Sequence, residues 1–172
     1  VVLELDGLAV SWAQLEELHT AVQAIREAGK PVWSVVSFAG NGDYALAAAA
    51  DHVAMAPEGN LMVLGVSAEL AFLRDTMAKV GIEAEFLHVG EYKSAPEQLT
   101  RSGPTDANRE MTTSLVDERY NLLVDLIADG RGRPADQVRD WIDVGMFDAE
   151  MALAEGLVDT LLDVENLLDD LF

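Results

Sequence analysis

The sequence contains no cysteine, which excludes disulfides, thiol nucleophiles and cysteine-ligated metals while leaving the redox compartment open. Basic charge is scarce: 11 Lys and Arg stand against 31 Asp and Glu, a formal net charge of −20. Such a chain repels phosphate backbones and anionic lipid headgroups, so nucleic-acid and membrane-surface binding are disfavoured. The lysines are Lys30, Lys79 and Lys93 alone, a balance compatible with high-salt surroundings or with ordinary acidic solubility. No apolar run approaches the ~18–20 residues that a spanning helix needs, and no signal peptide opens the chain. Any membrane anchor is therefore expected outside these residues. No phosphate-binding glycine pattern of the G-x-x-x-x-G-K-[ST] or G-x-G-x-x-G type occurs. His19, His52 and His88 are spaced for neither a metal cluster nor a serine–histidine pair, so no cofactor and no metal are expected.

What is present reads as alternating strands and helices. With 172 residues, half of them hydrophobic, the chain is long enough for one sizeable core, and residues 1–172 are expected to form a single domain. Val1–Leu5 reads as a strand. Ser11 with Gln14 makes a capping box for a helix whose apolar stripe is Leu15, Leu18, Val22 and Ile25, stopped at Gly29-Lys30-Pro31. A β-branched strand, Val32–Phe38, turns through Ala39–Asp43 into the alanine-rich helix Tyr44–Ala50. His52–Ala56 and Leu61–Val66 read as two strands around a turn at Pro57–Asn60. Ser67 then caps a helix through Val80, Gly81 ends it, and Ile82–Val89 reads as a further buried strand. Met111, Leu115, Leu122 and Leu126 mark the longest helix, Pro134 opens another to Trp141, and Asp148 caps a short one closed by Gly156. Successive βα units point to a mostly parallel, helix-covered sheet.

The candidate for chemistry is Lys93, in the stretch Gly90-Glu91-Tyr92-Lys93-Ser94-Ala95-Pro96-Glu97. A buried strand before it, a sharp turn at Gly90 and a rigid exit at Pro96 would hold the amine against a hydrophobic wall. Desolvation there disfavours the charged form, so the amine can accept a proton from a serine hydroxyl. The competing reading is a solvated loop lysine, or one that pairs with Glu91 or Glu97.

This stretch resembles the G-x-Y-K-S-A-x-E segment of the signal peptide peptidase A (protease IV) family, whose lysine is the general base of a Ser/Lys dyad. Asp43–Val53, Ala56-Pro57-Glu58-Gly59 and Ala154–Asp159 are similar to further segments of that family, so the likeness runs from about Val1 to Leu162. It implies an α/β fold of the ClpP/crotonase class, a spiral of ββα units with a mostly parallel sheet covered by helices. It also implies a serine peptidase acting on apolar signal peptides, membrane-associated at the periplasmic face of a bacterial inner membrane, and a homo-oligomer. In short members of the family the nucleophile stands in an S-G-G-Y setting, and here the matching positions read Asn41-Gly42-Asp43-Tyr44. Asparagine cannot form an acyl-enzyme. Long members divide the work, with the lysine in a first repeat and the serine in a second. The resemblance therefore casts this chain as a lysine-bearing first repeat whose partner is the second repeat of the same protein, the start without methionine being consistent with a piece of a longer chain. Asn41 and Asp43 are then expected to be turn and cap residues, Ser94 structural and Gly7 a turn. Two alternatives stay open: a crotonase-type acyl-CoA enzyme on the same fold, and a non-catalytic scaffold repeat.

Overall fold

A computed structural model describes residues 1–87, 90 and 92–171, with the backbone alone for 170 and 171. The chain divides into two compact units, the first built from residues 1–65 and 121–172 and the second from residues 66–120.

The first unit is an α/β layer structure. Strands β1 (Val2–Glu4), β2 (Trp33–Ala39) and β3 (His52–Met62) run parallel in that order. Two short strands, β4 (Met146–Asp148) and β5 (Thr160–Leu161), both pair with β3, β4 antiparallel to its end and β5 parallel to its start. Consecutive Val35 and Val36 on β2 are both buried, as both faces of a parallel sheet require when each is covered. Val35 and Ala54 pack with Leu167 of helix α8 (Val164–Leu171). Helix α2 (Asn41–Ala47) packs on β2, and α7 (Ala149–Glu155) packs on β3. Helix α1 (Trp12–Glu27) begins with the expected capping box, the Ser11 hydroxyl accepting from Gln14 N and the Gln14 side chain from Ser11 N. It buries Leu15, His19 and Val22.

Small residues set the closeness of the packing. Every residue from Ala45 to Ala50 is buried, and Leu46 is the one among them larger than alanine. Beside them Tyr44 is fully buried and donates its hydroxyl to Leu157 O at 2.7 Å. Burial pushes that phenol above its ordinary range, so it stays a neutral donor.

The turn expected between two strands at Pro57–Asn60 is instead a bulge within one strand. β2 advances from Val36 to Phe38 while β3 advances from Met55 to Asn60, so residues 56–59 loop out of register and pairing resumes beyond them. Pro57 is tolerated because a bulge leaves its missing N–H without a ladder partner. Gly59 closes the bulge: a Cβ there would stand 2.6 Å from Ser37 O and 2.9 Å from Ala56 O.

The second unit departs further from expectation. It holds α3 (Arg74–Lys79), α4 (Glu97–Thr100) and the start of α5 (Asp106–Arg131), and no strand among its described residues. The helix expected from Ser67 to Val80 is reduced to the six residues of α3, none of them fully buried, and short helices need tertiary packing. The expected strand at Ile82–Val89 is irregular from Ile82 to Leu87, and His88 and Val89 lie outside the described residues. Val80, Ile82, Phe86 and Leu87 are all exposed. An apolar run without a neighbouring strand to accept its ladder hydrogen bonds has no reason to extend.

The first unit is closed by ion pairs between chain segments. Arg131 donates to both Asp159 oxygens, at 2.9 and 2.7 Å, and to Gly156 O at 3.1 Å, while Val53 N donates to Asp159 Oδ2 at 2.7 Å. Burial pushes the Asp159 carboxyl up, but the Arg131 guanidinium and the Val53 amide outweigh it and hold the group below the usual carboxylate range. Asp51 is likewise held low, by Val32 N and then by Arg26 at 2.7 Å. Carboxyls with depressed native values stabilise the fold fully above their unfolded range, near pH 4, and lose that contribution as pH falls through the native value. Asp159→Ala is expected to cost about 1–2 kcal/mol at pH 7, the bidentate geometry being discounted for the exposure of the carboxylate. The cost should shrink below about pH 4, as read by urea unfolding at pH 7 and pH 3; an equal cost at both would refute the ionic origin.

Candidate active site

Lys93 sits on a loop shaped by its own backbone. Gly90 takes φ 102°, a value open to glycine and strained for side chains, and Gly90 O accepts from Lys93 N at 3.3 Å. Ser94 O then accepts from Glu97 N at 2.9 Å, and Pro96 O accepts from Thr100 N at 3.1 Å, so the loop feeds directly into α4. Ser94 is buried, in keeping with a structural role, whereas Lys93 is exposed. The hydrophobic wall expected behind the lysine is not supplied by the described residues that were to build it. Ile82 to Leu87 form no strand, and Ile82, Phe86 and Leu87 leave their side chains in solvent.

Glu97 is not a partner of the lysine. Its carboxylate is buried, with 8% of the residue exposed. It accepts from Thr105 N at 3.0 Å, Thr105 Oγ1 at 2.6 Å and Asn108 Nδ2 at 2.9 Å. Burial raises its pKa, but these three donors, with Arg101 nearby, bring it below the usual carboxylate range. The other acid considered for Lys93, Glu91, lies outside the described residues. Sequence reasoning misses the Glu97 network, although Thr105 followed three residues later by Asn108 is a helix-start pattern: Thr105 Oγ1 accepts from Asn108 N at 3.2 Å and so caps α5.

The positions matching a nucleophile are locked structurally. Asn41 Oδ1 accepts from Leu64 N at 2.7 Å. Asp43 is buried and accepts from Leu8 N at 2.6 Å and from Gly40 N at 3.0 Å. Asp6 accepts from Ser37 N and Phe38 N at 2.8 and 3.0 Å. The main-chain N–H groups of Leu8 and Gly40 are thus both spent on the Asp43 carboxyl oxygens. Asn41 and Asp43 serve the turn and the start of α2, as expected, although Gly40 rather than either of them is the cap residue. His19 is buried in α1, and His52 stacks on Trp33 with ring centroids 4.4 Å apart. His88 lies outside the described residues.

The family model for peptidase family S49 matches residues 24–171. The chain belongs to peptidase family S49. Among similar proteins, the chloroplastic serine protease SPPA of Arabidopsis thaliana is 29% identical over 158 residues, which cover 92% of this chain and 23% of that one. Protease 4 of Salmonella typhi is 29% identical over 184 residues, covering all of this chain and 30% of the relative. This S49 chain therefore spans between about a fifth and a third of the length of such relatives. Of solved structures, a peptidase from Plasmodium falciparum matches 95% of the chain and 77% of its own length, with TM-score 0.54 at 9% identity. ThnE from S. clavuligerus matches 99% and 61%, with TM-score 0.51 at 16% identity. At those identities the likeness concerns fold alone, and it agrees with the expected α/β class of mostly parallel sheet covered by helices.

Proposed function

We propose that this S49 chain is the lysine-bearing repeat of a Ser/Lys-dyad peptidase, with Lys93 as general base and the nucleophilic serine on a second repeat of the same protein. The observation that carries the reading is the pairing of an intact Gly90–Glu97 segment with an Asn41–Asp43 segment whose polar groups are spent on the fold. In the reaction, the neutral Lys93 amine takes the serine proton as the hydroxyl attacks a peptide carbonyl. The Lys93 ammonium returns that proton to the leaving amine as the C–N bond breaks, giving the acyl-enzyme, and the regenerated neutral amine then activates the water that hydrolyses the ester.

An exposed ammonium is a poor base at neutral pH, so the desolvating wall has to come from elsewhere. Phe86, Leu87 and Tyr92 flank Lys93 in the sequence and are exposed, which suits a surface completed by the second repeat or by another subunit. The substrates are apolar peptides of the signal-peptide class, and the protein is a membrane-associated oligomer; among the described residues no helix is long and apolar enough to cross a membrane.

A serine-directed fluorophosphonate tests the division of labour. In the full-length protein the adduct is expected on a serine beyond residue 172, and residues 1–172 produced alone should remain unlabelled. An adduct on Ser37, Ser94 or any other serine of this chain would overturn the assignment.

A further inference from the structure

We infer that Glu97 is the positioning residue of the lysine loop, clamping it to the start of α5. This inference rests on the reading of Lys93 as the base.

A buried carboxylate that hydrogen-bonds no cation is costly unless its oxygens are filled by good donors. Glu97 has three such donors, all from two residues at one helix start: Thr105 N and Asn108 Nδ2 on Oε2, and Thr105 Oγ1 on Oε1. The network continues into α5, where Thr112 Oγ1 donates to Asn108 Oδ1 at 3.3 Å. Lys93 is only four residues before Glu97, and the intervening backbone is tied down by the buried Ser94, whose carbonyl accepts from Glu97 N. The exposed amine thus stands on a short pedestal whose foot is a charged, three-bonded anchor. Both carboxylate oxygens of Glu97 are turned to the α5 start, so its contribution is to where the lysine backbone sits.

A general base has to reach its proton within hydrogen-bond distance, and a misplacement of about 1 Å can cost roughly a hundredfold in rate. Steady-state hydrolysis of a fluorogenic apolar peptide by the full-length protein, at a temperature where circular dichroism shows each variant fully folded, tests the clamp. Glu97→Ala is expected to lower kcat about a hundredfold with KM unchanged, because the carboxylate does not touch substrate. Thr105→Val, which keeps the amide donor but removes the hydroxyl, should lower kcat to a lesser degree, and Thr105→Ser should restore it. If Glu97→Ala fails to fold, the Thr105 pair decides alone. Wild-type kcat in Glu97→Ala or Thr105→Val, beside an inactive Lys93→Ala, overturns the clamp and leaves the base assignment standing. Failure of Thr105→Ser to restore kcat, or a loss that follows the folded fraction, also overturns it. Full activity in Lys93→Ala overturns the parent reading instead.

Discussion

Lys93→Ala in the full-length protein is expected to lower peptide hydrolysis by about 10²–10⁴-fold, the usual contribution of a positioned general base, with little change in substrate affinity or stability. The side chain is exposed, so its truncation removes chemistry without opening a core cavity. Lys93→Arg sharpens the result. A guanidinium keeps the positive charge but cannot give up its proton to become a base. If the lysine acts by proton transfer, the arginine variant should be as inactive as the alanine variant. If it only attracts a negative substrate group or pairs with an acid, arginine should recover most of the activity. Initial rates on a fluorogenic apolar peptide, with the fluorophosphonate labelling rate as a second readout, distinguish the outcomes. Recovery by arginine would remove the dyad reading, and normal turnover in both variants would favour a scaffold role for this repeat.

The parallel sheet, the capping box at Ser11 and the helix caps at Asp148 and Gly156 were legible because each is written in neighbouring residues. Hydrophobic period and turn chemistry act over a few positions, and the first unit supplies partners that satisfy them. The single β3 strand was not legible. Pro57 and Gly59 are ordinary turn residues, and only the approach of Gly59 to Ser37 O makes them a bulge. Around Lys93 the difficulty is of another kind. Ile82 to Leu87 has the composition of a buried strand, but composition reports what a segment would bury if something covered it, not whether this chain contains the cover. The wall was expected from this chain's own strand before Gly90, and the described part of that stretch, Ile82 to Leu87, is irregular and largely exposed. Glu97 was visible as a motif residue, yet its role depends on Thr105 and Asn108 across an irregular connection, where no periodicity leads the eye. The Asn41 position was the reverse case: a departure from the family pattern in the sequence, and a polar group already committed to Leu64 N in the structure.

The close passage of α5 over the alanine-rich segment gives the second large effect. A Cβ at Gly130 would overlap the Ala48 carbonyl and stand 2.9 Å from the Ala48 Cβ, so the neighbour is backbone and cannot rotate aside. Gly130→Ala gains about 1 kcal/mol of helix propensity but forces α5 away from Ala48, at the upper end of the ~1–3 kcal/mol typical of overpacking, for a net loss of about 2 kcal/mol. Gly130→Val adds two methyl groups and a β-branch at the same contact, and its loss should reach about 4 kcal/mol, the range kept for severe core errors. Gly42 supplies the opposite sign. It lies in the first turn of α2, outside the positive-φ region, and a Cβ added there would meet nothing within 4 Å. Gly42→Ala should therefore be neutral or stabilise by up to about 1 kcal/mol. Urea unfolding of the three variants measures all of these, with the slope checked for constancy so that only the native state is being compared. A Gly130→Ala protein as stable as Gly42→Ala would mean that α5 and the Ala48 backbone can separate freely, and that the small residues of Ala45–Ala50 do not set the spacing between them.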